Sequence, residues 1–189
     1  MDKLLAATRD FLVPITAAAP FLAALEPALP GRVVAPARLP VEAYLAAARG
    51  AASAATMVLA DVLIATDGLA WRQTYTAADL PAAFLARYGW TELIGLRGPF
   101  HSDAIALGFL LLGPDTHYPR HRHAAEELYV PIGGTALWER GDAAPALQPP
   151  GTVIHHPAWM AHGMRTTSEP LLALYLWRGG DLAAKSSFD

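Results

Sequence analysis

The stretch HYPRHRHAAEELYVPIGG, residues 117–134, decides the fold. His121 and His123 stand two apart, Glu127 follows after three intervening residues, Tyr129 lies two further on, and the stretch closes on Gly133–Gly134. On a strand, residues two apart share a face, and His121, His123, Glu127 and Tyr129 are all odd-numbered. Two imidazoles and a carboxylate converging on one point describe a divalent-metal site with nitrogen and oxygen ligands. The plain alternative is a polar surface strand with scattered histidines, and a second half of the site further along the chain speaks against it.

That second half is GTVIHHPAWMAH, residues 151–162. Gly151, Pro157 and His162 are spaced so that a strand enters, turns at the proline and presents His162 on the returning strand. His162 comes 35 residues after Glu127, which suits a third imidazole donated from a distant strand. His121, His123, Glu127 and His162 would leave coordination positions open, the arrangement of a catalytic ion and not of a closed structural one. Fe(II), Mn(II), Zn(II), Co(II) and Ni(II) all accept this ligand set, so one divalent transition metal ion is expected without a choice among them.

Outside the two stretches the sequence sets limits. A chain of 189 residues with 53% hydrophobic and 16% charged residues is long and apolar enough for a substantial core. With a net charge of −3 and no basic run, nothing follows a phosphate backbone, and nucleic acid is not an expected partner. Cysteine is absent, which removes disulfides and thiolate zinc sites and leaves His, Glu, Asp and Tyr as ligands. The Ala/Leu-rich start is interrupted by Asp2, Arg9, Asp10, Pro14 and Pro20, and its run from Phe11 to Leu25 is too short to span a bilayer. The expectation is a soluble, cytoplasmic protein with no membrane partner.

Taken in order, residues 1–29 read as helical with a break near Pro14, and residues 30–40 as a loop. From Val41 an Ala/Leu-rich segment predicts one long helix or two, with Gly50 the break. Residues 76–89 read as a helix opened by a Thr76–Asp79 capping box and closed by Gly89. At Trp90 the pattern changes to short apolar runs bounded by Gly, Pro and Asp. Strands are expected at 90–96, 104–112, 127–132, 136–139, 152–155 and 171–177, a spacing that indicates a β-sandwich or barrel. All seven histidines fall between residues 101 and 162, inside this region.

The residues His121-x-His123-x3-Glu127-x6-Gly134 and Gly151-x5-Pro157-x4-His162 resemble the two cupin motifs. Three positions depart from them: Asp115 and Trp159 stand where the motifs have glycine, and Thr166 where the second has asparagine. The resemblance implies a mainly β protein with an α-helical N-terminal part. Residues 1–89 would form a helical extension packing on a double-stranded β-barrel (jelly roll) of residues 90–189. Tyr118, His121, His123, Glu127 and Tyr129 together match the form Y-x2-H-x-H-x3-E-x-Y and resemble the bacterial cupin-type dimethylsulfoniopropionate (DMSP) lyases. That likeness extends to GFLLLGP, EELYV and EPLLALYLWRGGD. It implies His121, His123, Glu127 and His162 as metal ligands, Tyr129 as catalytic base and Tyr118 as an auxiliary catalytic residue.

The implied reaction is a metal-dependent β-elimination, a carbon–sulfur lyase activity that turns DMSP into dimethyl sulfide and acrylate. Such a substrate is a small zwitterion. Its carboxylate suits a Lewis-acidic ion, and its sulfonium suits aromatic faces at roughly 0.5–2 kcal/mol each. Trp159, Trp138 and Trp177 are the substrate-binding candidates. A dioxygenase or isomerase of the same superfamily would share the ligands without needing the tyrosines, and a non-catalytic cupin would bind a small ligand or metal without turnover. The apolar N-terminal helices either cover the barrel of a monomer or mediate a homodimer.

Overall fold

Two eight-residue apolar runs, Ile105–Leu112 (β3) and Leu171–Arg178 (β10), form the middle of the molecule and pair antiparallel along their whole length. Such continuous runs are the signature of strands buried on both faces. The computed structural model describes residues 1–26 and 28–188. Pro27, inside the stretch expected to be helical, and Asp189, the last residue of the expected 90–189 unit, lie outside the described residues.

Strands Trp71–Arg72 (β1), Tyr88–Ile94 (β2), Glu126–Gly133 (β5) and Ile154–His156 (β8) complete a six-stranded sheet in the order β1-β2-β3-β10-β5-β8. A second sheet holds His117–Arg122 (β4), Ala136–Arg140 (β6), Ala143–Gln148 (β7), His162–Thr166 (β9) and Ser187–Phe188 (β11), in the order β11-β4-β9-β6-β7. All strand pairings in both sheets are antiparallel. The two sheets and the preceding helices make a cupin-like fold.

The six-stranded sheet sorts its residues by parity. Leu107, Phe109 and Leu111 of β3, Leu128, Val130 and Ile132 of β5, and Leu172, Leu174 and Leu176 of β10 pack on one face with helical residues Leu4, Leu12, Leu59 and Leu63. Leu110, Leu112, Tyr129, Ala173 and Tyr175 turn the other way, onto Tyr118, Trp138 and Met164 of the second sheet. The site therefore lies between the sheets, and the helices back the sheet that carries Glu127 and Tyr129.

The helices are Asp2–Leu12 (α1), Ala19–Leu22 (α2), Leu45–Gly50 (α3), Met57–Ile64 (α4) and Ala82–Leu85 (α5). Pro14 ends α1 as expected, and Gly50 ends α3, with a turn before α4. The helix expected over 76–89 is a single turn. Thr76 and Asp79 form a local turn in which the Thr76 N–H donates to Asp79 Oδ2 at 2.8 Å. Pro81 then delays the helix, and Gly89 lies within β2 instead of capping it. The sheet begins earlier than Trp90, since β1 and the first residues of β2 precede it. No single helix among the described residues is long and apolar enough to cross a membrane.

Candidate metal centre and adjoining cavity

His121 comes from β4, His123 from the residue just past its end, Glu127 from β5 and His162 from the first position of β9. Strand pairing sets His121 directly opposite His162. All four are buried, Glu127 and His162 completely. Each imidazole hands its Nδ1 to a backbone carbonyl: His121 to Pro119 at 2.9 Å, His123 to Ala125 at 2.9 Å, His162 to Met160 at 2.8 Å. A carbonyl only accepts, so each Nδ1 carries the hydrogen and each Nε2 presents a lone pair.

Those lone pairs meet a carboxylate. Glu127 Oε2 lies 3.0 Å from His162 Nε2 and 3.2 Å from His123 Nε2. His162 Nε2 is buried without a hydrogen-bond partner. Acceptors packed this closely away from water repel one another unless extra protons or a cation lie among them. Three imidazole nitrogens and a carboxylate oxygen fixed from behind are a donor set for a divalent transition metal ion. Two trios can hold one, His121–His123–His162 and Glu127–His156–His162.

His156 brings a further nitrogen to the cluster. It stands opposite Glu127 across the β5–β8 pair, with Nδ1 3.5 Å from Glu127 Oε2 and both ring nitrogens unpaired. The sequence places it beside His155 but carries no sign of the register that sets it against Glu127. His155 points away, 2.7 Å from Glu126 on the outer rim, His117 lies 3.9 Å from Glu139, and His101 stays outside the cluster.

The imidazoles respond differently to their surroundings: burial lowers the His123 pKa, but the facing Glu127 carboxylate outweighs it and holds it above its ordinary value. Burial, then His162, pushes His121 down to about 3, and burial chiefly brings His156 to about 4. Burial pushes Glu127 up, but the facing imidazoles of His123, His156 and His162 outweigh it and hold the carboxyl well below its ordinary value. Trp177 donates its Nε1–H to Glu127 Oε1 at 2.5 Å and lays its ring 4.0 Å from that of His123.

Beside the cluster lies a cavity of about 270 Å³ whose wall includes Tyr118, Tyr129, Tyr175 and Trp177. By parity Tyr118 and His121 belong on opposite faces of β4. A register shift between them turns both inward, and their rings stack at 4.2 Å. The Tyr118 hydroxyl lies 2.9 Å from that of Tyr75, a residue the sequence did not single out. Burial, then the Glu127 charge, holds the Tyr129 phenol well above its ordinary value.

The three tryptophans part company. Trp177 lines the cavity, whereas Trp138 is buried in the core with its ring 5.0 Å from Tyr129 and does not line it. Trp159, expected to touch substrate, is 61% exposed and outside the cavity wall. Its backbone is left-handed there, at φ +63. Asp115, at φ +51, is the other non-glycine residue with positive φ among the described residues. Both stand where the motifs have glycine.

Residues 15–173 match the dimethylsulfoniopropionate lyase family model. The chain belongs to this family. It is 36% identical over 169 residues to the dimethylsulfoniopropionate lyase DddQ of Ruegeria pomeroyi, a match covering 84% of each chain. Its fold superposes on a chain from the crystal structures of the DMSP lyases RdDddP and RnDddQII with a TM-score of 0.89 at 33% identity, covering 98% of this chain and 95% of the other. A cupin-2 domain from Rhodospirillum rubrum aligns with a TM-score of 0.52 at 20% identity over 66% of this chain and 77% of its own, a likeness of fold alone.

Proposed function

We propose that this chain is a metal-dependent carbon–sulfur lyase that cleaves DMSP to dimethyl sulfide and acrylate. The observation that carries the reading is the convergence of three imidazole Nε2 atoms and the Glu127 carboxylate behind a tyrosine-walled cavity. We read the two sheets as the halves of a cupin barrel enclosing that cavity.

His121, His123, Glu127 and His162 would hold the ion, with His156 packed behind them. Bound there, a divalent ion supplies positive charge that holds the substrate carboxylate, offsets the developing enolate charge and favours the ionised Tyr129 phenol. Tyr129, as phenolate, takes the proton from the carbon next to the carboxylate. The electron pair of that C–H bond becomes the double bond, the C–S bond breaks with its pair going to sulfur, and neutral dimethyl sulfide leaves acrylate behind. The phenol then returns its proton to solvent. Tyr118, held by Tyr75, positions the substrate, and Trp177 orients Glu127 while offering its ring to the sulfonium. Without a cation, burial and the nearby Glu127 keep Tyr129 protonated, so this base depends on the filled cluster.

The test is headspace detection of dimethyl sulfide from purified protein and DMSP, before and after chelation and after refilling with Fe(II), Mn(II), Zn(II), Co(II) or Ni(II) separately. Activity lost on chelation and restored by at least one ion is the expected result. Turnover that survives complete metal removal removes the metal from the reaction.

A further inference from the structure

Glu92 is an acid that the metal centre does not use. It lies on β2 opposite Gly108, which lies opposite Tyr175, which lies opposite Tyr129. Residues directly opposite on neighbouring strands point to the same face. Glu92, Tyr175 and Tyr129 thus form one row across the sheet, and all three line the cavity. Gly108 lets the row close up: a Cβ there would fall 2.0 Å from the Thr91 carbonyl oxygen and 2.8 Å from the Tyr175 hydroxyl.

The Glu92 side chain is 6% exposed. Its Oε1 accepts the backbone N–H groups of Arg97 and Gly98, the latter at 2.8 Å. Its Oε2 accepts from no described residue. No arginine or lysine among the described residues forms an ion pair with it. Arg32 donates to the carbonyls of Gly98 and Gly95, Arg97 donates to that of Ala183, and Lys185 pairs with Asp79. Glu92 is the only acid among the described residues of the cavity wall, which also holds Arg97, Lys185 and the rings of Tyr88, Trp90, Tyr118, Tyr129, Tyr175 and Trp177.

A carboxylate that lines a cavity with one oxygen free of hydrogen-bond partners suits a cation there. One surrounded by aromatic faces suits a weakly hydrated cation that brings no hydrogen-bond donors. We propose that Glu92 binds the sulfonium end of the substrate and makes the cavity select for a positively charged group there. This rests on the lyase reading for the identity of the substrate. The zwitterion then lies along the row, its carboxylate at the metal cluster beside Tyr129 and its sulfonium at Glu92. Burial pushes the Glu92 pKa up against the opposing pull of the two backbone N–H groups and of the Arg97 and Arg32 charges, and a cation in the cavity acts in the same direction as those groups.

Glu92→Gln isolates the charge, because the amide oxygen still accepts from Arg97 and Gly98 and the turn they form is kept. Melting temperature and metal content verify that the variant is folded and loaded. With DMSP, KM should rise by about ten-fold, the scale of ~1.4 kcal/mol, while kcat changes far less. Calorimetric binding of DMSP and of its uncharged thioether counterpart, 3-(methylthio)propanoate, gives the second readout. The native protein should prefer the sulfonium, and Glu92→Gln should bind the two alike. A preference that survives in the variant, or native protein that binds both ligands equally, overturns the proposal. Native protein that binds the sulfonium in a Glu92-dependent way yet releases no dimethyl sulfide overturns the lyase reading and keeps this one.

Discussion

The ring of His156 lies face to face with that of His162, centroids 4.1 Å apart and planes inclined by 9°. His162 is the member common to both trios that can hold a metal, whereas His156 belongs to one. His162→Ala should therefore leave no stoichiometric metal. His156→Ala should keep a full equivalent at saturation but bind it ~10–100-fold more weakly, the usual cost of losing a group that supports the ligands. Metal content after dialysis against a competing chelator separates the two, and a His162→Ala protein that retains its ion would remove that residue from the site.

Tyr129→Phe should abolish DMSP turnover with metal still bound. The ring continues to fill its place in the row, and only the phenolic oxygen is lost. A positioned general base contributes ~10²–10⁴-fold, so the rate should fall at least that far. Tyr118→Phe should cost less, because it removes only the hydroxyl that faces Tyr75 and the cavity. Rate and metal content are measured on the same samples, and near-native turnover by Tyr129→Phe moves the base elsewhere.

The histidine cluster was legible because its spacing is short-range: His121, His123 and Glu127 lie within seven residues, and motif spacing tied His162 to them. What stayed hidden depends on pairing between distant strands. His156 meets Glu127 only through the register of β5 on β8, and Tyr75 reaches Tyr118 from a loop 43 residues away. Tyr118 sits beside His121 because of a bulge that sequence parity contradicts. The change from helix to strand near Trp90 was readable from composition. The strands β4 and β9 were read from the histidines they carry and not from an apolar run, whereas the exposed β7 was missed because it has none of the apolar alternation that marks a half-buried strand. Trp159 drew attention because an aromatic in a motif suggests a pocket, whereas its ring is mostly exposed and outside the cavity wall.

The C-terminal segment is fastened to the cavity rim by a pH-sensitive contact. Lys185 pairs with Asp79 and lies 5.5 Å over the Tyr75 ring, and Phe188 lies 5.0 Å from the same ring. The Lys185 hydrogen bond, then those from Thr76, bring Asp79 down from an ordinary 3.8 to about 2. A depressed carboxyl stabilises the folded form fully above its ordinary value and loses that contribution as pH falls through the lower one. Hydrogen-exchange protection of residues 185–188, corrected for intrinsic rates, should therefore fall between pH 4 and pH 2 while β10 holds. Asp79→Asn should reproduce the loss at neutral pH. Unchanged protection in that variant would show that strand pairing of β11 alone fastens the segment.

Trp159 tests whether the motif's glycine is a backbone requirement. At φ +63 a side chain crowds its own carbonyl, at a cost of ~1–2 kcal/mol that glycine avoids. Glycine also loses ~0.5–1 kcal/mol through the freedom of the unfolded chain. The ring is mostly solvent-exposed, and the fixed contact of the residue is its N–H, which donates to the His123 carbonyl at 2.8 Å and remains in the variant. Trp159→Gly should accordingly stabilise the protein by up to ~1 kcal/mol, or about 2–4 °C in Tm for a chain of this size. Asp115→Gly should change little, since aspartate tolerates the left-handed region far better. Gly134→Ala supplies the opposite case. At φ +80 a Cβ would fall 1.8 Å from the Pro170 carbonyl oxygen, so strand ends must separate and Tm must drop sharply. Thermal melts of the three variants, metal-free and metal-loaded, decide it: a lower Tm for Trp159→Gly in both states would mean that the exposed ring stabilises the turn more than the backbone strain destabilises it.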